Sequence, residues 1–134
     1  MHRTTLVLCC NRILHDAPTN SVSAIEIYEE FSAPGLPFVI PSFSILWVVE
    51  RDAADTPTVD GRVRILQGEG NILGDFPADI DFQGALRTRN MVQIGGLMIS
   101  LPAPLTVQLL MGGNVVSTMT FPVTVKANLV PQPN

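Results

Sequence analysis

Proline and glycine interrupt this sequence too often for long helices to form. The 134-residue chain contains 11 prolines and 10 glycines, which separate short apolar runs from one another. Within these runs apolar residues recur at every second position, as on one face of a strand. The segment from Phe43 to Val49 is apolar on both faces. Proline removes a backbone donor and glycine supplies turn conformations, so the pattern predicts an all-β fold with many turns.

About seven or eight strands are predicted from this alternation. Their ranges are residues 4–12, 21–31, 43–51, 62–66, 75–82, 89–100, 105–111 and 115–125. The loops predicted between them include residues 14–20, a proline-rich crossing over 33–41, a surface loop over 52–60 and a glycine-rich turn over 67–74. This strand count, without the cysteine and tryptophan spacing of antibody domains, predicts an immunoglobulin-like two-sheet sandwich. We expect one domain over residues 1–134, with 127–134 as a frayed tail.

The low charge of the chain bears on its function. Only 15% of residues are charged, mean hydropathy is +0.32, and the central strand from Phe43 to Val49 is apolar on both faces. Too few ionised groups therefore remain to cover the whole exterior, and surplus apolar surface is typical of proteins that bind a partner. The sequence favours a non-enzymatic protein-interaction or assembly module, with self-association as its simplest form.

Charge and cysteine usage exclude several other classes. The formal net charge is -4, Lys126 is the only lysine, and the seven arginines are scattered, so no basic footprint for nucleic acid or an anionic membrane is present. No apolar stretch approaches the ~20 residues of a membrane span, and no signal peptide is recognised, which predicts a cytoplasmic protein. Cys9 and Cys10 are adjacent and have no third partner, which favours buried, reduced thiols.

Two clusters could carry chemistry, although each has a simpler explanation. His15 and Asp16 would suit a general-base dyad in a hydrolase, but adjacent side chains diverge and no nucleophile motif is present, which favours a polar loop. Asp75, Asp79 and Asp81 could offer calcium ligands, but a solvated edge explains the same acids. No catalytic, cofactor-binding or metal-ligating residue is therefore predicted. The alternative function is a small-ligand or carbohydrate binder that uses the loop around His15 or the aspartates.

Three stretches of the chain resemble an uncharacterised bacterial family of small single-domain proteins, a domain of unknown function. They are residues 6–9, residues 20–28 with 33–38, and residues 96–125. The resemblance implies a β-sandwich along nearly the whole chain. This chain departs from the family pattern at Cys10, where an acidic residue often stands, and at Glu26, where glycine is usual. The family supplies no catalytic or binding residues to carry over.

Overall fold

The structure, a computed structural model, describes residues 1–126, and these residues form twelve strands and no helix. The strands are β1 (Arg3–Asp16), β2 (Ser21–Ile27), β3 (Phe31–Ala33), β4 (Phe38–Glu50), β5 (Thr58–Val59), β6 (Gly61–Gln67), β7 (Asn71–Pro77), β8 (Ile80–Asp81), β9 (Arg87–Ile99), β10 (Leu105–Met111), β11 (Asn114–Phe121) and β12 (Val123–Val125). The tail predicted over residues 127–134 lies outside the described residues.

Two four-stranded antiparallel sheets form the body of the fold. The first sheet has the order β2-β1-β4-β9 and the second has the order β11-β10-β6-β7. In the described part of the chain, the remaining four strands are short and form two pairs, β12 with β3 and β5 with β8. The predicted all-β, two-sheet sandwich is confirmed, and the eight strands of the two main sheets agree with the predicted number.

The core lies between the two sheets and is centred on β4. Phe43, Ile45, Trp47 and Val49 alternate along that strand, and each is completely buried. The indole Nε1 of Trp47 donates a hydrogen bond of 3.0 Å to the hydroxyl of Thr4, so this buried ring leaves no polar atom unpaired. The second sheet contributes the buried side chains Val63, Ile65, Leu105, Val107 and Leu109. The predicted central position of this strand and the core role of its aromatic residues are confirmed.

Cross-strand pairing carries three strands into segments that were predicted to be loops. β1 continues to Asp16 because it pairs with β2, so the 14–20 prediction was wrong except for the turn over 17–20. β7 begins at Asn71, inside the predicted 67–74 turn, since a three-residue turn is enough to join it to β6. β4 begins within the predicted 33–41 crossing and contains Pro41. Its missing amide is tolerated because β1 pairs with β4 only as far as Ser44.

Three other predicted strands are divided in two. The 21–31 prediction covers both β2 and part of β3, and the 115–125 prediction is interrupted at Pro122, which has no amide to donate. The carbonyl oxygen of Pro122 instead accepts a 2.9 Å hydrogen bond from the amide of Phe31, where β12 lies parallel to β3. The 75–82 prediction is divided between β7 and β8, and β8 pairs with β5 inside the predicted 52–60 loop.

Candidate functional site

The hairpin formed by β1 and β2 leaves the first sheet halfway along its length. We call its distal part, residues 11–26, the hairpin arm. Pairing of β1 with β4 ends at the Cys10–Ser44 pair. Immediately beyond it, the carbonyl oxygen of Asn11 accepts hydrogen bonds from the hydroxyls of Ser42, at 2.7 Å, and Ser44, at 3.1 Å. These side chains hold the chain above the outer face of β4, the face turned away from the core.

The tip of the hairpin arm reaches the opposite edge of the same sheet. The backbone oxygen of Asn20 accepts a hydrogen bond from the guanidinium of Arg89 on β9. Because β4 lies between β1 and β9, the arm must fold back across the outer face of β4 to make this contact. Leu46 and Val48 lie on that face, outside the core cluster, and are only 4% and 5% exposed. The chain therefore covers the second apolar face of its own central strand.

A residue in a left-handed backbone conformation accompanies the change in direction of the arm. Glu26 has a φ of 56°, a region that non-glycine residues adopt at a cost. Its carboxylate accepts a 3.2 Å hydrogen bond from the side-chain amide of Asn11, the residue at which β1 departs from β4. The departure from the family pattern at this position thus coincides with the bend of the hairpin arm.

Adjacent cysteines face the two sides of the first sheet. Cys9 belongs to the core and Cys10 lies on the face covered by the hairpin arm, and both are buried, free thiols, as predicted. Burial, with a smaller contribution from the neighbouring Cys10, raises the pKa of the Cys9 thiol to about 12. Burial also raises the pKa of Cys10. Both thiols therefore stay protonated, and unreactive as nucleophiles, near neutral pH.

A cavity of about 470 Å³ lies between the tip of the hairpin arm and β9. Its lining residues are His15, Asn20, Gln83, Arg87, Thr88, Arg89 and Met91. Two guanidinium groups and one imidazole therefore meet in it, and no carboxylate lines it. The spacing of Arg87 and Arg89, two residues apart on one strand, could have indicated the pair. Nothing local in the sequence indicated that His15 would join them, because this contact depends on the folded-back arm.

His15 and Asp16, considered above as an alternative dyad but predicted to form a polar loop, lie at the end of β1 rather than in a loop. The Nε2 atom of His15 lies 2.9 Å from the side-chain oxygen of Asn20, and the carboxylate of Asp16 accepts a hydrogen bond from the hydroxyl of Thr19. Within residues 1–126, no hydrogen bond joins His15 to Asp16 or to a serine or cysteine. The geometry therefore assembles no nucleophile and base pair around this histidine.

The arginines of the cavity differ in their hydrogen bonding. Arg87 donates from Nη1 to the carboxylate of Glu50 at 3.2 Å, and its side chain is 64% exposed. Arg89 uses Nη2 to hold Asn20, while its Nη1 is buried and has no acceptor among the described residues. A buried guanidinium N–H without an acceptor loses its hydration without compensation.

The three aspartates predicted as alternative calcium ligands do not come together. Asp75 forms ion pairs with Arg62, at 2.7 Å, and Arg64, at 3.3 Å, on the neighbouring strand. Asp79 is exposed between β7 and β8, and Asp81 accepts a hydrogen bond from the backbone amide of Gln83. Across the described chain, no group of three or more His, Cys, Asp or Glu side chains is placed to hold a metal ion.

An apolar groove separates the edges of the two sheets on the side opposite β2 and β11. It has a volume of about 560 Å³ and lies between β7, the last strand of the second sheet, and β9, the last strand of the first. Its lining residues are Ile72, Leu73, Gly74, Phe76, Ile94, Gly95, Gly96, Leu97, Met98 and Ser100. None of them is charged, and Ile72 and Met98 are 54% and 53% exposed.

Comparison with protein families identifies the family of this chain. Residues 5–124 match the model of a family of unknown function, DUF6941. The chain belongs to this family. The match confirms the resemblance to an uncharacterised domain, and it covers all but the ends of the DUF6941 chain. No curated protein matches it. In residues 1–126 no helix is long and apolar enough to cross a membrane.

Proposed function

We propose that this DUF6941 protein is a non-enzymatic assembly module that associates with a second copy of itself through the groove between β7 and β9. The observation that supports this proposal is the absence of any charged side chain from a groove bounded by two unpaired strand edges. Edge strands present free backbone donors and acceptors, and monomeric proteins usually protect them with charges, proline or a covering element. This groove is uncharged.

The charge distribution favours a second copy as the occupant. The chain carries a net charge of -4, so two copies repel each other on average. The segment over residues 90–101, which contains most of β9, carries no charge. A two-fold axis through its middle would place uncharged residues of one copy against uncharged residues of the other. Such a pairing of like surfaces is the arrangement that symmetric dimers use, and antiparallel β9 strands would add backbone hydrogen bonds.

Gly95 offers a way to block this interface without disturbing the fold. A side chain built at Gly95 would meet nothing within 4 Å, and its backbone is not left-handed, unlike that of Gly96, whose φ is 71°. We therefore expect Gly95→Arg to fold normally and to place a charge where the second copy would pack. Thr118→Arg is the matched control, because Thr118 is exposed on β11, the edge strand on the opposite side.

The molar mass in solution tests the proposal. When the protein is loaded at hundreds of micromolar, light scattering after size exclusion should give twice the 14.5 kDa of the chain for the wild type and for Thr118→Arg. Gly95→Arg should give the mass of the single chain. A wild type that stays monomeric up to hundreds of micromolar, or a Gly95→Arg variant with the wild-type mass, would contradict the proposal.

A further inference from the structure

The cavity beneath the tip of the hairpin arm is lined by several cationic side chains. It collects two of the eight Lys and Arg residues of a net acidic protein, Arg87 and Arg89, together with His15. Asn20 and Gln83 add side-chain amides to the same lining. Because no carboxylate lines the cavity, its two guanidinium groups give it a positive potential, which the ion pair of Arg87 with Glu50 reduces only in part.

Three acidic residues contact or adjoin the lining residues, and each accepts a hydrogen bond. Glu50 binds Arg87 and also lies 3.7 Å from the guanidinium of Arg3. Asp16 binds Thr19, and Asp81 binds the backbone amide of Gln83. Arg87 donates only from Nη1 to Glu50, so its other N–H groups remain available to bind an anion. None of these three acids lines the cavity.

The guanidinium of Arg89 has one paired and one unpaired terminal nitrogen. Its Nη2 holds the backbone oxygen of Asn20, which fixes the tip of the arm beside β9. Its Nη1 is buried without an acceptor among the described residues, so an oxygen atom that reached it would regain the hydrogen bond that burial removed.

We propose that this cavity binds a small anion through a carboxylate or phosphoryl group, held by Arg87 and Arg89 with His15 at its side. Guanidinium groups match the oxygen spacing of carboxylate and phosphate and can donate two parallel hydrogen bonds. The cavity volume of about 470 Å³ also falls within the range of small-molecule sites. This site is separate from the groove between β7 and β9, and it does not depend on self-association.

Nuclear magnetic resonance titration of the full chain tests this inference. Sodium phosphate and sodium citrate serve as the two probes, and sodium chloride at equal ionic strength controls for screening. We expect one of the two anions to shift the amide resonances of residues 15, 20 and 87–91 in a saturable manner. The anion that does so identifies the group recognised.

Two variants distinguish binding at this cavity from nonspecific attraction of anions to arginine side chains. Arg87→Gln should weaken binding by about tenfold or more, the usual effect of losing a charge-assisted hydrogen bond. Arg62→Gln is the control, since Arg62 is a comparably exposed arginine that pairs with Asp75 on the other sheet. Should Arg89→Gln disturb the arm, Arg87→Gln still decides the question. Absence of saturable shifts with either anion, shifts that map elsewhere, or equal affinity in Arg87→Gln and Arg62→Gln would overturn the proposal.

Discussion

Two apolar regions lie outside the core of this sandwich, and they differ in what covers them. On the outer face of β4, Leu46 and Val48 are buried beneath the hairpin arm. In the groove between β7 and β9, Ile72 and Met98 remain more than half exposed, and no described element covers them. The same chain thus protects one surplus apolar surface by folding back on itself and leaves the other available for a second molecule.

The difference shows that an apolar strand face does not by itself indicate a binding surface. The alternation of β4 predicts two apolar faces, but only the fold of the arm decides that the second face is internal. The interface proposed above lies instead at strand edges, because the groove combines apolar side chains with backbone groups that no neighbouring strand pairs. Three changes to the chain test this contrast.

The largest expected effect at neutral pH comes from truncating a side chain under the arm. Leu46→Ala should lower the free energy of unfolding by about 3 kcal/mol, as for a core leucine, because its cavity cannot be filled by solvent without opening the arm. Met98→Ala in the groove should cost less than about 0.5 kcal/mol in the dilute monomer, where the side chain is half exposed. Urea denaturation at low protein concentration measures both. Equal losses would show that the arm does not seal the outer face.

Burial of the Cys9 thiol in the core predicts a pH dependence of stability. The pKa of Cys9 is raised to about 12, so the unfolded chain loses this proton near pH 8.5 while the folded chain keeps it. The folded state therefore loses stability as pH rises from about 9 to 12, at most by about 1.4 kcal/mol per pH unit for one proton. Cys9→Ala should remove part of this slope. Denaturation across that range would refute the assignment if wild type and Cys9→Ala had identical slopes.

The smallest expected effect concerns the bend of the arm. Glu26→Gly should raise the free energy of unfolding by about 1 kcal/mol, since glycine adopts a positive φ without the steric cost of a side chain. Loss of the exposed hydrogen bond to Asn11 subtracts little. Glu29→Gly is the control, because Glu29 is exposed nearby and has no positive φ. A loss of stability in Glu26→Gly would mean that the carboxylate, rather than the backbone, determines the bend.

Much of the fold could be predicted from the local sequence pattern, and the errors of that prediction have physical causes. The buried roles of Phe43, Trp47 and Cys9 follow from alternation that each strand shows on its own. The end of β1 and the beginning of β7 could not be predicted in this way, because cross-strand pairing extends a strand beyond the residues whose own strand preference is strong. The sequence predicts that Pro41 interrupts strand pairing. A proline is compatible with β4 at this position because one side of the strand has no partner there.

The candidate sites were harder to predict because they depend on contacts between distant segments. His15 was identified, but with Asp16 as its partner, whereas the structure places it with Arg87 and Arg89, more than 70 residues away in sequence. The uncharged segment over residues 90–101 is visible in the sequence, but its position at a sheet edge follows from the strand order. Strand order is set by non-local pairing, which the local pattern does not encode.

Hydrogen exchange at two protein concentrations tests the contrast between the two regions most directly. We predict that amides of residues 90–98 exchange more slowly at hundreds of micromolar than at one micromolar, because a second copy then covers the edge of β9. Amides of residues 12–16 in the hairpin arm should exchange at the same rate at both concentrations, since the chain alone holds the arm in place. Concentration-dependent protection of the arm, or its absence in β9, would contradict the account.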